Sequence, residues 1–263
     1  MTIGLRLGTA SLRLGPRIGA SKNTGVSWYV DATSGKAWPR SATQWTDFLA
    51  ANSATLSAWS TPDHLHDCQE SSGDLADSID ALTLTANASP GYQQTLAGWS
   101  LKGVRGDGAT ANQRFQNSSW IDPSTNDVLI IFLCALGAVD ATVRSILSIG
   151  ANSDTSISSY GPATRRFRYR ENANISDTSV GNNYNGDAAP IVFKVDNTNS
   201  VARMCTPLEK ISPTYGAPSS ATVFSVGGIT GTWAASTIGG IQTWTGAKAR
   251  RSDAEIKALY TAL

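Results

Sequence analysis

The chain has 263 residues, of which 41% are hydrophobic and 16% charged, and its formal net charge is +1. This hydrophobic fraction supports a normal core and argues against global disorder, and the length allows one large β domain with extra segments, or two domains. A nearly neutral chain lacks the positive field that gathers nucleic acid, so no nucleic-acid partner is expected. No segment reaches the roughly 18 apolar residues of a membrane helix, so no membrane insertion is expected.

Residues 1–25 contain a short repeat: Leu5-Arg-Leu-Gly8 recurs as Leu12-Arg-Leu-Gly15. In an extended chain, alternation places the leucines on one face and the arginines on the other. The repeat predicts an extended arm that binds another surface; an ordinary first strand or a frayed terminus is the alternative. The arginines also interrupt any apolar core of a secretory signal, so no export signal is expected. The predicted anchoring residues are Leu5, Leu7, Leu12 and Leu14.

Residues 26–60 differ from the arm because they are rich in tryptophan and contain a helix signal. Ser41 followed by Gln44 predicts a capping box at the start of a helix, and Trp45, Phe48 and Leu49 then share one face. We predict a short helical linker packed on the main domain. The density of tryptophan leaves an oligomer contact as the alternative.

Residues 61–263 are predicted to form one β domain. Beyond Pro123, segments rich in β-branched and aromatic residues alternate with turn residues, a pattern typical of a sandwich or a barrel. The turn Asp196-Asn-Thr-Asn199 between two such segments predicts a hairpin. Strands are predicted near residues 128–136, 143–149, 157–160, 165–170, 177–180, 191–195, 201–205 and 223–226.

The C-terminal segment predicts a final strand and a docked helix. Ile238, Ile241 and Trp244 suit a short strand entered through two glycines. Ser252 and Glu255 then have the spacing of a capping box. The apolar residues that follow recur at helical spacing, which indicates one buried face. They are Ile256, Leu259, Tyr260 and Leu263.

These closing segments resemble those of a known family. Trp244-Thr-Gly followed by the segment 252–260 resembles the last strand and helix of the concanavalin A-like lectin/glucanase (laminin-G-like) jelly rolls. The segments Leu82-Thr-Leu-Thr85 and Val104-Arg-Gly-Asp-Gly108 resemble the opening of the same fold, although the usual aromatic before Asp107 is missing. The resemblance covers residues 64–263.

The resemblance implies an all-β fold: a two-sheet antiparallel jelly-roll sandwich with a short C-terminal helix, preceded by the helical linker and the arm. The N-terminal repeat is similar to segments of tailed-phage virion proteins. That similarity implies a protein made in the host cytoplasm and located in the virion. Its expected partners are other virion proteins, contacted through the arm, and further copies of itself in a homo-oligomer.

The residues offer little for catalysis. A glycoside hydrolase needs two carboxylates on one face, but Glu70, Glu171, Glu209 and Glu255 fit no Glu-X-Asp-X-(X)-Glu strand pattern, so no enzyme is expected. The cysteines at 68, 134 and 205 form an odd set without a C-x-x-C pair and are predicted to be buried thiols. His64 and His66 would share one side of a strand, as a metal half-site or as a hydrogen-bonded pair.

The strongest local signal for binding is a strand that alternates arginine with aromatic residues. Arg166, Arg168 and Arg170 are predicted to lie opposite Phe167 and Tyr169. Such a face suits an acidic glycan, a phosphate-rich surface or a neighbouring subunit, or is simply solvated. Four aromatic residues in predicted loops could stack on sugars, with capping of the core as the alternative: Tyr160, Tyr184, Tyr215 and Trp233.

The resemblance to laminin-G-like folds implies that Asp and Asn side chains at the rim of the sandwich could hold calcium, although turn chemistry explains each candidate equally well. They are Asp107, Asn152, Asp154 and Asp187. No other cofactor is expected.

Taken together, the sequence predicts a non-enzymatic virion structural protein, a capsid decoration or a tail or fibre component, whose arm anchors an exposed lectin-like jelly roll. A carbohydrate-binding module that recognises a cell-surface glycan receptor is the alternative. A polysaccharide-degrading glycoside hydrolase is the second alternative.

Overall fold

The computed structural model describes residues 44–94, 101–107, 109–137, 143–150, 155–160, 166–171, 174–177, 188–227 and 232–261. The predicted anchoring leucines, Leu5, Leu7, Leu12 and Leu14, lie outside these ranges. The helices are α1 Trp45–Ala51, α2 Ser53–Ala58 and α3 Asp253–Thr261. The strands are β1 His64–His66, β2 Thr85–Asn87, β3 Gly91–Gln94, β4 Gly103–Gly106, β5 Arg114–Asn117, β6 Val128–Leu136, β7 Arg144–Ile149, β8 Thr155–Tyr160, β9 Arg166–Glu171, β10 Asn174–Asp177, β11 Ala188–Asp196, β12 Val201–Cys205, β13 Lys210–Ile211, β14 Phe224–Gly227 and β15 Ser236–Thr245.

Within the described ranges, the strands form two antiparallel sheets. The first sheet has the order β13-β12-β11-β6-β15-β4-β3, with β1 paired to β15 beyond the end of β4. The second has the order β10-β9-β8-β7-β14-β5-β2. This architecture confirms the predicted two-sheet antiparallel sandwich. The predicted hairpin is present between β11 and β12, where Asp196 pairs with Val201.

The first sheet is buried on both faces, which explains the uninterrupted apolar sequence of β6. Ile130, Phe132 and Cys134 face the core between the sheets. Leu129 and Leu133 face a second cluster on the outer side. A strand covered on both faces needs apolar residues at every position rather than at alternate ones. Its bounds, 128–136, are those predicted from the sequence.

The helices cover the outer face of the first sheet. Trp45 and Phe48 of α1 and Ile256 and Leu259 of α3 are buried there. The close contact requires a glycine beneath α1, since a Cβ on Gly240 would lie 2.3 Å from the Trp45 ring. None of the helices in the described ranges is long and apolar enough to cross a membrane.

The predicted start of the first helix is wrong. Gln44 occupies the N-cap position itself, without a side-chain capping hydrogen bond. Its Oε1 instead accepts a hydrogen bond from Lys102 N at 3.1 Å. A tertiary contact to the segment before β4 therefore takes the side chain that the sequence assigned to a capping box, and Ser41 lies outside the described ranges.

The predicted C-terminal helix is confirmed. Ser252 N donates to Glu255 Oε2 at 2.8 Å, and Glu255 N donates to Ser252 Oγ at 3.2 Å, which is the reciprocal geometry of a capping box. Tyr260 Oη donates to the carbonyl of Cys205 at 2.9 Å and so fastens α3 to β12. The final strand is longer than predicted, because β15 runs through both glycines with an irregularity between Ile238 and Gly240.

Candidate glycan-binding face

The outer face of the second sheet is polar, unlike the helix-covered outer face of the first. On β9, Phe167 and Tyr169 are fully buried in the core. Strand alternation therefore places Arg166, Arg168 and Arg170 on the outer face, as the sequence predicted. We call this surface the arginine face, and its members on neighbouring strands are Ser148, Ser156, Ser158, Ile175, Asp177 and Ser225.

A side-on ion pair lies at the centre of the arginine row. Arg168 pairs with Asp177 across β9 and β10, and its Nε and Nη2 donate to the two carboxylate oxygens at 2.6 and 2.8 Å. Two parallel hydrogen bonds fix both the position and the plane of the guanidinium. The pair also neutralises the middle charge of the row.

Serines extend the arginine face across the sheet. Ser158 and Ser156 pair with Arg168 and Arg170, and the row continues through Ser148 and Ser225. Ser148 and Ser225 are fully buried, and their hydroxyls make no hydrogen bond. Buried hydroxyls without partners are uncommon. Ser148 and Ser225 thus have unused hydrogen-bonding capacity, but neither side chain is exposed at the surface.

One apolar side chain interrupts this polar surface. Ile175 is 54% exposed and pairs with Arg170 at the sheet edge. An exposed apolar side chain beside a cation suits a sugar ring, because such a ring has apolar faces and a polar rim.

The aromatic residues predicted to bind sugar are not assembled on this face. Trp233 is fully buried, and its Nε1 donates to Ser236 Oγ at 3.1 Å. It packs where Cβ atoms on Gly106 and Gly227 would lie 2.4 and 2.9 Å from its ring. The prediction that it is a binding residue in a loop is therefore wrong, because these two glycines, one in each sheet, leave room for its ring in the core. The backbone of Tyr160 pairs with Arg166, and Tyr184 lies outside the described ranges.

Asp107 serves a turn. Its Oδ1 accepts from the backbone N–H groups of Ala109 and Thr110, and its Oδ2 accepts from Thr110 Oγ1. Burial raises the pKa of Asp107, but the hydrogen bonds from Thr110 and Ala109 together hold this pKa below its ordinary value. The other predicted calcium ligands, Asn152, Asp154 and Asp187, lie outside the described ranges. Within those ranges, no three His, Cys, Asp or Glu side chains are spaced to hold a metal ion.

The two histidines fasten the segment that leads from β1 to β2. His64 Nδ1 lies 2.7 Å from Asp77 Oδ2, and His66 Nε2 lies 2.9 Å from the carbonyl of Leu82. The pKa of Asp77 is lowered, so its carboxylate is ionised and can only accept hydrogen bonds, as can the carbonyl of Leu82. Each of these ring nitrogens is therefore the hydrogen-bond donor. Burial raises the pKa of Asp77, but hydrogen bonds from Leu65, Ile79 and His64 outweigh it. The hydrogen-bonded alternative therefore describes both histidines.

All three cysteines are buried thiols, as predicted. Burial raises the pKa of both Cys68 and Cys134, which disfavours the nucleophilic thiolate.

Sequence reasoning missed Asp177 as a member of the arginine face. The predicted strand began at Asp177, whereas β10 ends there. The register of the hairpin, which pairs position 168 with position 177, could therefore not be inferred from the sequence. A signal was present in the opposite charges of the two residues, but it becomes informative only once the register is known.

Comparisons with known proteins show the fold. No family model matches the chain, and no curated protein matches it in sequence. Among solved structures, a mutant of Trypanosoma rangeli sialidase displaying trans-sialidase activity is similar at 10% identity and a TM-score of 0.57, with 82% of this chain and 38% of that chain covered. A GH54 α-L-arabinofuranosidase is similar at 12% identity and a TM-score of 0.48, with 72% of this chain and 50% of that chain covered. Tailspike protein 2 of Escherichia coli O157:H7 bacteriophage CAB120 is similar at 11% identity and a TM-score of 0.46, with 67% of this chain and 27% of that chain covered.

The comparison corrects the functional prediction. The expectation of a non-enzymatic structural protein is wrong, because the solved structures that share the sandwich include a sialidase, and the glycoside hydrolase alternative agrees with them better. This chain spans less than two fifths of the sialidase's length. Identity of 10% shows a shared fold and does not by itself assign an activity to this chain.

Proposed function

We propose that this chain degrades a polysaccharide that it holds on the arginine face. The observation that carries the proposal is the grouping, on one outer sheet face, of three arginines, the exposed Ile175 and the fixed carboxylate of Asp177. Guanidinium donors suit the hydroxyl-rich surface of a glycan. The fold that this chain shares with 38% of a sialidase agrees with a role on glycans.

Hydrolysis of a glycosidic bond requires two carboxyl groups, one as acid and one as base or nucleophile. In the described part of this face, Asp177 supplies one such carboxyl group. Arg168 orients it, so we assign it the role of base or nucleophile. Asp154 and Asp187 lie outside the described ranges, and reducing-end release by Asp154→Asn and Asp187→Asn tests each for the role of acid.

The test is release of reducing ends from a panel of neutral and acidic polysaccharides. Asp177→Asn is expected to lower the rate by about 10²-fold or more, the usual contribution of a proton-transferring group. Asp80→Asn, which removes an exposed carboxylate outside the face, is the matched control and should leave the rate unchanged. Circular dichroism of both variants establishes that the sheets are intact.

Two results would contradict the proposal. If no polysaccharide releases reducing ends but some are bound, the chain is a carbohydrate-binding module. If Asp177→Asn and Asp80→Asn are equally active, catalysis lies elsewhere on the molecule.

We propose a virion as the setting of this activity, with the arm as the contact to other virion proteins and a homo-oligomer as the assembled form. The Leu-Arg-Leu-Gly repeat and the resemblance of the closing segments to concanavalin A-like jelly rolls support this proposal. Deleting residues 1–25 should abolish incorporation into particles while polysaccharide hydrolysis persists. Normal incorporation of the shortened chain would show that the arm is not the anchor.

A further inference from the structure

We infer that the arginine face binds its glycan through a methyl-bearing sugar unit that packs on Ile175, next to the unit that contacts Asp177. The inference rests on the proposed function, since it names the substrate class of the same face. It follows from the place of Ile175 in β10, from its exposure and from the charged groups beside it.

Ile175 lies on the same face of β10 as the carboxylate of Asp177. Residues 175 and 177 alternate along the strand, so their side chains are about 7 Å apart. In the register with β9 they pair with Arg170 and Arg168. An apolar side chain therefore lies beside the carboxylate to which the proposed function assigns hydrolysis, at a distance comparable with the length of one sugar unit.

The side chain of Ile175 is 54% exposed, whereas Phe167 and Tyr169 of the neighbouring strand are fully buried. Exposure alone does not mark a binding site, because isolated apolar side chains are common at protein surfaces. Ile79, in the segment between β1 and β2, is 43% exposed. Ile175 is distinguished by its place on the arginine face, two positions from Asp177.

The side chains of Ile175 and Asp177 together define the chemical character of the ligand. Arg168 donates one hydrogen bond to each carboxylate oxygen of Asp177, and an ionised carboxylate accepts at about four positions. Asp177 is 24% exposed, so a sugar hydroxyl can also donate to it. Ile175 is branched and not planar, so it suits a methyl group better than the flat sugar face on which aromatic rings stack. A 6-deoxy or acetylated sugar offers both the hydroxyl and the methyl group.

The charged groups around Ile175 favour a glycan over a second copy of this chain. The cores of stable protein interfaces are apolar and poor in charged residues, and such interfaces bury about 800 Å² on each partner. Beside Ile175, the arginine face carries the charged residues Arg168, Arg170 and Asp177. One exposed apolar side chain among charged residues suits a small apolar group of a polar ligand.

The experiment is affinity electrophoresis of the full chain in gels that contain methylcellulose or hydroxyethylcellulose. The two polymers share one uncharged backbone, and their substituents end in a methyl group or in a hydroxyl group. The wild-type chain is expected to bind methylcellulose about fivefold more tightly. This ratio is below the roughly tenfold or more that one methylene is worth in a closed pocket, because Ile175 lies on an open face.

Ile175→Thr tests the side chain itself. Threonine keeps the β-branched shape that suits a strand and replaces apolar atoms by a hydroxyl group, so the ratio between the two polymers should fall to about one. Ile175→Val keeps a branched apolar side chain and should retain most of the preference. Ile79→Thr makes the same change at an exposed isoleucine in the segment between β1 and β2, and this matched control should leave the ratio unchanged.

Equal affinity of the wild-type chain for the two polymers, an unchanged ratio in Ile175→Thr, or an equal loss of the ratio in Ile79→Thr would overturn the inference. Size-exclusion chromatography of the same variants tests the other occupant. If Ile175→Thr converts an oligomer into a monomer, a second copy of the chain covers Ile175 and the inference is wrong.

The two proposals fail separately. Release of reducing ends without a preference for methylcellulose would leave the enzymatic proposal standing and remove this one. A preference for methylcellulose that Ile175→Thr removes, without release of reducing ends from any polysaccharide, would do the reverse.

Discussion

The contact between Gly240 and Trp45 gives a prediction whose magnitude can be worked out from distances. A Cβ at Gly240 would lie 2.3 Å from Cγ and Cδ2 of Trp45 and 2.4 Å from Cδ1. Carbon atoms in contact prefer about 3.5–4.0 Å, so Gly240→Ala requires a displacement of more than about 1 Å. The ring cannot yield alone, because it stacks on Phe48 of the same helix at a centroid distance of 5.3 Å.

Gly240→Ala is therefore expected to lower the free energy of unfolding by about 1–3 kcal/mol, the usual cost of overpacking. Removing the side chain of a buried Trp costs about 3–5 kcal/mol. If the alanine at position 240 displaced the whole helix, the loss of stability would reach that range at most. In the Trp45→Ala background the obstructing ring is absent. There Gly240→Ala should cost less than about 0.5 kcal/mol, because the ring no longer occupies the space.

The assay is urea-induced unfolding of the wild-type chain, both single variants and the double variant. A coupling energy of at least about 0.5 kcal/mol between the two sites is the expected result. Equal costs of Gly240→Ala in both backgrounds would refute the steric argument. The glycine would then be required by the strand irregularity between Ile238 and Gly240 rather than by the helix above it.

Three further predictions concern buried polar groups and thiols. Burial lowers the pKa of His66 below its ordinary value of 6.5. The unfolded chain therefore takes up the proton at a higher pH than the folded chain, and the free energy of unfolding should fall as the pH drops below about 6.5. Urea unfolding at pH 7.5 and pH 5 measures this loss, and an equal loss in His66→Gln would contradict it. Asp127→Asn should lower the free energy of unfolding by about 2 kcal/mol, since the buried carboxylate accepts hydrogen bonds from Arg250 and Thr198. Thermal unfolding measures this loss, and an unchanged midpoint temperature would contradict the prediction. None of the cysteines should react with a thiol reagent until the chain unfolds, because all three are buried; rapid labelling of the native protein would contradict this.

Sequence reasoning succeeded where the determining interactions are local. The capping box of α3 depends on two residues three positions apart, and the apolar run of β6 reports burial on both faces directly. The alternation of Arg168 with Phe167 and Tyr169 is likewise a property of one strand. These features could be predicted without knowing which strands are neighbours.

Predictions failed where the determining partner is distant in the chain. Trp233 is buried because Gly106 and Gly227, on different sheets, leave room for its ring. Gln44 binds Lys102 rather than its own helix. Asp177 joins the arginine face only through the register of β9 and β10. In each case the sequence shows the residue but not the partner that decides its role.

The position of β15 in the first sheet has a consequence for how the protein folds. This strand pairs with β6 on one side and with β4 and β1 on the other, all of which come much earlier in the chain. Until residues 236–245 are available, those three strands have open edges, which favour pairing with other chains. A topology so dominated by non-local pairing folds in milliseconds to seconds rather than in microseconds. Chains that stop before β15 should therefore aggregate rather than form a smaller version of the sandwich.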